Sequence, residues 1–180
     1  TGAATYVWTP ATGLSCTNCA SPTANPAITT TYTVVGTAAN GCTDTDQVQV
    51  IVNPLPTVNA GTDKAICAGS STFLSANGAA TYVWTPATGL SCNNCAVPAA
   101  SPATTTNYIL TGTDVNGCVN TDTVKVTVNP IPDIIVNSSA SVVCSGDNVQ
   151  LNVSGANTYQ WTPILGLSCN TCSNPVATPP

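Results

Sequence analysis

The chain is 180 residues long, its only charged side chains are seven Asp and two Lys, it has no His, and its net charge is −5. Acid–base catalysis draws on His, Glu or a tuned Lys, and phosphate handling on Arg or a Gly-rich loop with Lys, so most enzyme classes lack their working groups here. The acidic balance leaves no cationic stripe for nucleic acid or an anionic membrane, while an apolar fraction of 43% is too high for a disordered chain.

Residues 5–16 read TYVWTPATGLSC; the same string returns at 81–92 and, as TYQWTPILGLSC, at 158–169. Trp8, Trp84 and Trp161 are therefore 84 − 8 = 76 and 161 − 84 = 77 residues apart. Residues 2–54 laid on residues 78–130 without gaps are identical at 37 of 53 positions. Near-copies in tandem mark an array of small modules. Asn53-Pro54-Leu55-Pro56 and Asn129-Pro130-Ile131-Pro132 each follow an alternating apolar run. Pro-x-Pro cannot continue a central strand and favours extended backbone on both sides, so these are short, stiff joints. The register gives a partial repeat over 1–54 that lacks its first strands, a complete repeat over 55–130, and a partial repeat over 131–180 that lacks its last strands. The chain is accordingly expected to be a segment of a longer repetitive polypeptide.

Inside the complete repeat the elements follow one another as strands. Cys67 precedes a strand carrying Phe73 and Leu74, which the Asn77-Gly78 turn ends; Tyr82, Val83 and Trp84 form the next; Thr88-Gly89 turns into a loop with Cys92 and Cys95. A strand through Tyr108 and Leu110 meets the Asn116-Gly117 turn, after which Val124, Val126 and Val128 alternate with Lys125 and Thr127. In the third repeat Val149, Leu151 and Val153 alternate with Gln150 and Asn152. A period of two is that of half-buried strands, and Pro, Thr and Gly interrupt the Ala-rich stretches too often for a helix. About seven short strands in a 76-residue unit predict an all-β chain of tandem immunoglobulin-like sandwiches forming an extended rod. The predicted core is Leu74, Tyr82 or Val83 with Trp84, Tyr108 with Leu110, and Val124, Val126 and Val128, with Trp84 the largest buried surface. Phe73 aligns with Gln150 and is expected to face outward, either as a scattered apolar residue or as a contact with a neighbouring module.

The strings ICAGSSTFL, TYVWTPATGLSCNNC, PATTTNYILTGTDVNGC and DTVKVTVNPIP resemble the PKD-like or Ig-like repeats of very large Bacteroidota cell-surface proteins, including adhesins of the SprB gliding-motility type. The resemblance covers the whole chain and implies an extracellular tandem array at the cell surface, exported by type 9 secretion. Asp122-Thr123-Val124 is similar to the Asp-Thr/Ser-aliphatic sequence to which Bacteroidota attach O-glycans, which makes Thr123 a candidate acceptor.

Ten Cys and no His point to an oxidising compartment and a disulfide framework. The C-x-x-C pairs Cys16/Cys19, Cys92/Cys95 and Cys169/Cys172 lie in loops of β modules, whereas a redox motif wants its first Cys at a helix N-terminus. A four-thiolate zinc site wants two such pairs per module, and each has one. Each pair is therefore expected to close on itself as a structural staple. Cys67 and Cys118, with copies Cys144 and Cys42, have two routes left open: a bond within the module, should its first segment bring Cys67 up to the turn at Cys118, or a bond from the Cys67-type residue of one module to the Cys118-type residue of the next. Asp44, Asp46 and Asp122 border a hairpin and could serve a calcium ion at a joint, against the plainer reading of solvated strand-edge carboxylates.

No cofactor, metal or catalytic constellation is expected. The leading reading is a structural stalk or fibre repeat of a secreted surface adhesin. It spaces a binding region from the cell and bears tension, with neighbouring repeats, other fibre chains or surface glycans as partners. The alternative is an Ig-like module that itself binds glycan or protein.

Overall fold

In the computed structural model residues 2–179 are described, so Thr1 and Pro180, the outermost residues of the first and third expected repeats, lie outside. The described residues hold twelve strands and no helix: β1 (Thr5–Thr9), β2 (Thr30–Thr37), β3 (Thr43–Val50), β4 (Lys64–Cys67), β5 (Thr72–Phe73), β6 (Thr81–Thr85), β7 (Ala99–Ala100), β8 (Thr106–Thr113), β9 (Val119–Asn129), β10 (Ile135–Ser138), β11 (Val149–Ser154) and β12 (Val176–Ala177).

The central part is a two-layer sandwich. One layer is the sheet β4-β9-β8-β6. The other is built on β5 and β7, which pair antiparallel. It extends past them through Leu74 N–H donating to the Pro98 carbonyl at 3.0 Å and Ala76 N–H to the Ala96 carbonyl at 2.7 Å. On its far side Asn59 and Asn77 exchange a pair of backbone bonds of 2.9 and 3.0 Å. The chain thus begins this sandwich in the second layer, at Asn59, and crosses to the first to form β4. Gly61, at φ 81°, sits at the crossover.

β4 runs parallel to β9, Lys64 opposite Val126 and Cys67 opposite Asn129. β9 runs antiparallel to β8, and β8 antiparallel to β6. The chain consequently enters the sandwich at one pole and leaves it at the other, after the eleven residues of β9. Gly78 turns the chain at φ 88°, where a Cβ would overlap the Thr57 carbonyl.

The core lies between the layers and follows the alternation. Leu74, Trp84, Tyr108, Leu110, Val124 and Val126 are all at most 1% exposed. Tyr82, not Val83, is the β6 neighbour that packs inward, since Val83 is 48% exposed. Val128 is only half-buried. Ile66 and the small residues Ala60, Ala76 and Ala100 complete the cluster; three alanines on the second layer leave room for a large indole at native packing density. Phe73 is 68% exposed.

β1-β2-β3 repeats part of this layer in the same register: Trp8 faces Val34 as Trp84 faces Leu110, and Tyr32 faces Val48 as Tyr108 faces Val124. Val48 is nevertheless 49% exposed where Val124 is buried, because no second layer covers it among the described residues. β10-β11-β12 repeats the other layer, Gln150 facing Val176 as Phe73 faces Ala99.

Trp84→Ala should destabilise the central sandwich by about 3–5 kcal/mol, the usual cost of truncating a buried aromatic. Phe73→Gln should change it by less than about 0.5 kcal/mol, as for an exposed site. Urea melts of the two variants should show this order.

Candidate functional site

Three features stand out: the Trp–Cys loop, the polar residues at the entry pole, and the cysteines. In the loop after β6, the Trp84 indole Nε1 donates to the Cys95 carbonyl at 3.0 Å, and the Trp84 backbone N–H to the Asn93 carbonyl at 2.7 Å. The Ser91 hydroxyl accepts from Ala99 N–H at 2.9 Å. The Tyr108 hydroxyl donates to the Thr88 carbonyl at 2.9 Å, and burial pushes its pKa above the ordinary tyrosine value. Trp84 and Ser91 of the repeated string, and the Thr88 carbonyl, each have a bond to make in this loop. The same indole bond recurs from Trp8 to Cys19 and from Trp161 to Cys172, both at 2.9 Å. Thr9-Pro10, Thr85-Pro86 and Thr162-Pro163 are cis in all three copies.

Disulfides join Cys16 to Cys19, Cys92 to Cys95, and Cys169 to Cys172. They lie in loops of an all-β chain, away from any helix terminus that would stabilise a thiolate. Cys42, Cys67 and Cys144 are exposed and free, and Cys118 is half-buried and free.

At the entry pole the carboxylates do structural work that sequence reasoning missed. Asp122 accepts from the Ala60 backbone N–H at 2.8 Å through Oδ2 and from Thr123 N–H at 2.8 Å through Oδ1. It thus satisfies a backbone donor at the layer crossover, 62 residues away in sequence. Asn120 Nδ2 donates to the Pro56 carbonyl at 3.0 Å, holding the buried joint proline against β9. Asp46, the copy of Asp122, accepts only from its neighbour Gln47 N–H at 2.7 Å, and Asp44 from Thr45 N–H at 2.9 Å. Among the described residues no three His, Cys, Asp or Glu side chains gather where they could hold a metal ion. Thr123 is exposed on β9, its side chain on the face away from the core. The only signal for the Asp122 bond was its place in the repeat, since a contact across 62 positions leaves no local pattern.

Two hollows open on the surface. One is lined by Ile134, Val136, Val153, Tyr159 and Trp161; the central sandwich places Leu110 and Gly112 of β8 against the matching residues. The other, by Gly2, Tyr6, Gly36, Cys42 and Asp44, matches the seat of Val58 and Pro56. Each is a place that the central sandwich fills with its own chain, and neither gathers the convergent polar groups of a ligand site.

No protein-family profile matches the chain, and no curated protein does. Among solved structures it is similar to the N-terminal eight Ig domains of Down Syndrome Cell Adhesion Molecule isoform 1.30.30, with 17% identity, TM-score 0.46, and coverage of 84% of this chain and 27% of that one. It is also similar to extracellular cadherin domains 1–4 of Protocadherin Gamma B7 (12%, TM-score 0.35, 97% and 58%) and to the human Desmocollin-1 ectodomain (12%, TM-score 0.31, 97% and 46%). The chain spans less than two thirds of each, and none of these three overlays reaches a TM-score of 0.5, so the immunoglobulin-like sandwich rests on the strand order itself.

Asp122→Ala should leave the Ala60 amide without its partner and cost about 1–3 kcal/mol. The loss, read from urea midpoints, should be the same in calcium and in EDTA, because the carboxylate acts on a backbone donor.

Proposed function

We propose that the chain is a stretch of a structural stalk or fibre in an extracellular surface adhesin, made of units over 1–54, 55–130 and 131–180. The observation that carries this reading is the polarity of the sandwich: β4 parallel to β9 sends the chain in at one pole and out at the opposite one. Units of that kind joined by Asn129-Pro130-Ile131-Pro132 add length with each repeat. Every Trp of the repeated strings donates its indole N–H to the loop that follows it, and Tyr82 and Tyr108 pack at the central core, so these aromatic side chains serve the fold. The resemblance to Bacteroidota repeat adhesins supports placement at the cell surface, export by type 9 secretion, and a part in gliding or attachment. Its partners are then neighbouring repeats and, at the surface, other fibre chains or glycans, with Thr123 as a glycan acceptor.

Phe73 favours the second reading, a module that binds glycan or protein, since it is the one aromatic presented on the face of β5. Its copy is Gln150, so such a surface would differ from unit to unit.

Deleting one 76-residue unit from the parent polypeptide should shorten its fibres by about 45 Å, the length of an eleven-residue strand plus a joint. Binding of the remaining protein to its target should not change. Electron microscopy and a cell-attachment assay read the two effects. Loss of attachment at unchanged fibre spacing, restored by the unit but not by its Phe73→Gln form, would favour the binding module instead.

A further inference from the structure

Of the four free cysteines, Cys67 lies in a strand, and Cys42 and Cys118 each stand immediately before one. Cys67 ends β4 opposite Asn129. Cys118 immediately precedes Val119, the first residue of β9. From Cys118 to Asn129 the chain takes 129 − 118 = 11 extended steps, about 36 Å, whereas a disulfide tolerates a Cα separation of roughly 7 Å at most. The two cannot bond within one unit.

Across a joint the distances are short. Asn129 and Pro132 are three peptides apart, about 10 Å. Pro56, the counterpart of Pro132, is held by Asn120, two residues from Cys118. A Cys118-type residue therefore stands at the entry pole of its unit, and a Cys67-type residue at the exit pole of the unit before it.

We infer that, in the tandem array proposed above, the Cys67-type residue of each repeat forms a disulfide with the Cys118-type residue of the next. The two thiols give up two protons and two electrons. The acceptor is the disulfide of a thiol–disulfide oxidoreductase, which passes through a mixed disulfide and leaves as a dithiol.

The consequence is mechanical. Cys42 to Cys67 is 67 − 42 = 25 steps and Cys118 to Cys144 is 144 − 118 = 26. Each stretch consists of the last strand of one unit, the Pro-x-Pro joint, and the first strands of the following unit. Cys118 to Cys144 runs pole to pole through two units, and its 26 steps measure about 88 Å when taut, close to two strand lengths plus a joint. Cross-repeat disulfides connect these nearly taut stretches end to end, Cys144 to the Cys118-type residue of the next repeat. Two interleaved covalent lines then run the length of the array. Tension passes along them, and the Trp loops, β6 and β8 stay outside the load path.

The test is the full chain lengthened by a copy of residues 104–129 after Pro180, which gives the third unit its own Cys118-type residue at position 195. Val119→Ile in the added copy marks it by mass. After oxidation with glutathione disulfide, cleavage before aspartate without reduction puts Cys67 in the peptide 63–113 and Cys118 in the peptide 114–121. The expected product is peptide 63–113 linked to the marked peptide, with three free thiols at Cys42, Cys118 and Cys144. Pulled by its ends, the oxidised chain should extend by 195 − 67 = 128 residues of contour less than its Cys67→Ser variant. Alkylation of Cys67 together with equal extension of the two chains would overturn the cross-repeat bond while leaving the stalk reading standing. A link from Cys67 to the unmarked peptide would overturn the bond and the pole-to-pole strand order on which the stalk reading rests.

Discussion

The sandwich is organised around one indole. Trp84 is 1% exposed, and a side chain of that size stays dry only when both layers close on it and its single donor has a partner. The partner is the Cys95 carbonyl, so the loop after β6 must fold back over the ring. That return carries Ser91 to the Ala99 amide and sets β7 beside β5. Trp8 and Trp161 keep the same bond while only half-buried. The clasp is therefore local to the strand and its loop, and the second layer closes upon a piece already shaped.

Around this clasp the unit relies little on charge. Its two Lys, Lys64 and Lys125, both lie on the first layer, and the polar side chains act on backbone. Asp122 and Asn120 bind the entering segment to the last strand at Ala60 and Pro56. Asp63 accepts from the Lys125 backbone N–H at 2.9 Å beside the parallel pair. Side chain to backbone bonds of this kind hold the entry and exit strands side by side, so the two ends of a unit are joined laterally as well as through its core. Without a covalent link across the joint, a module pulled from its poles loads β4 and β9 in shear, where several ladder bonds must break together.

The alternation of apolar residues made most of the core legible: Leu74, Trp84, Tyr108, Leu110, Val124 and Val126 are inside, and Phe73 is outside. Once Trp84 is inside, the same alternation puts Tyr82, two residues away, on the core face and Val83 on the other, as the burial of β6 shows. Ile66 and the alanines Ala60, Ala76 and Ala100 escaped notice. A short strand gives too few periods to read, and alanine is equally at home on either face.

The sequence by itself determined the 76- and 77-residue clock, the strand character and the C-x-x-C loops, since repetition and a period of two are properties of neighbours along the chain. The tertiary structure alone decided that β4 lies parallel to β9, with Cys67 opposite Asn129, and that Asp122 serves the Ala60 amide. Each of these depends on which distant segments are adjacent in space. That choice is made by closing two layers over one core, and no local pattern of residues encodes it.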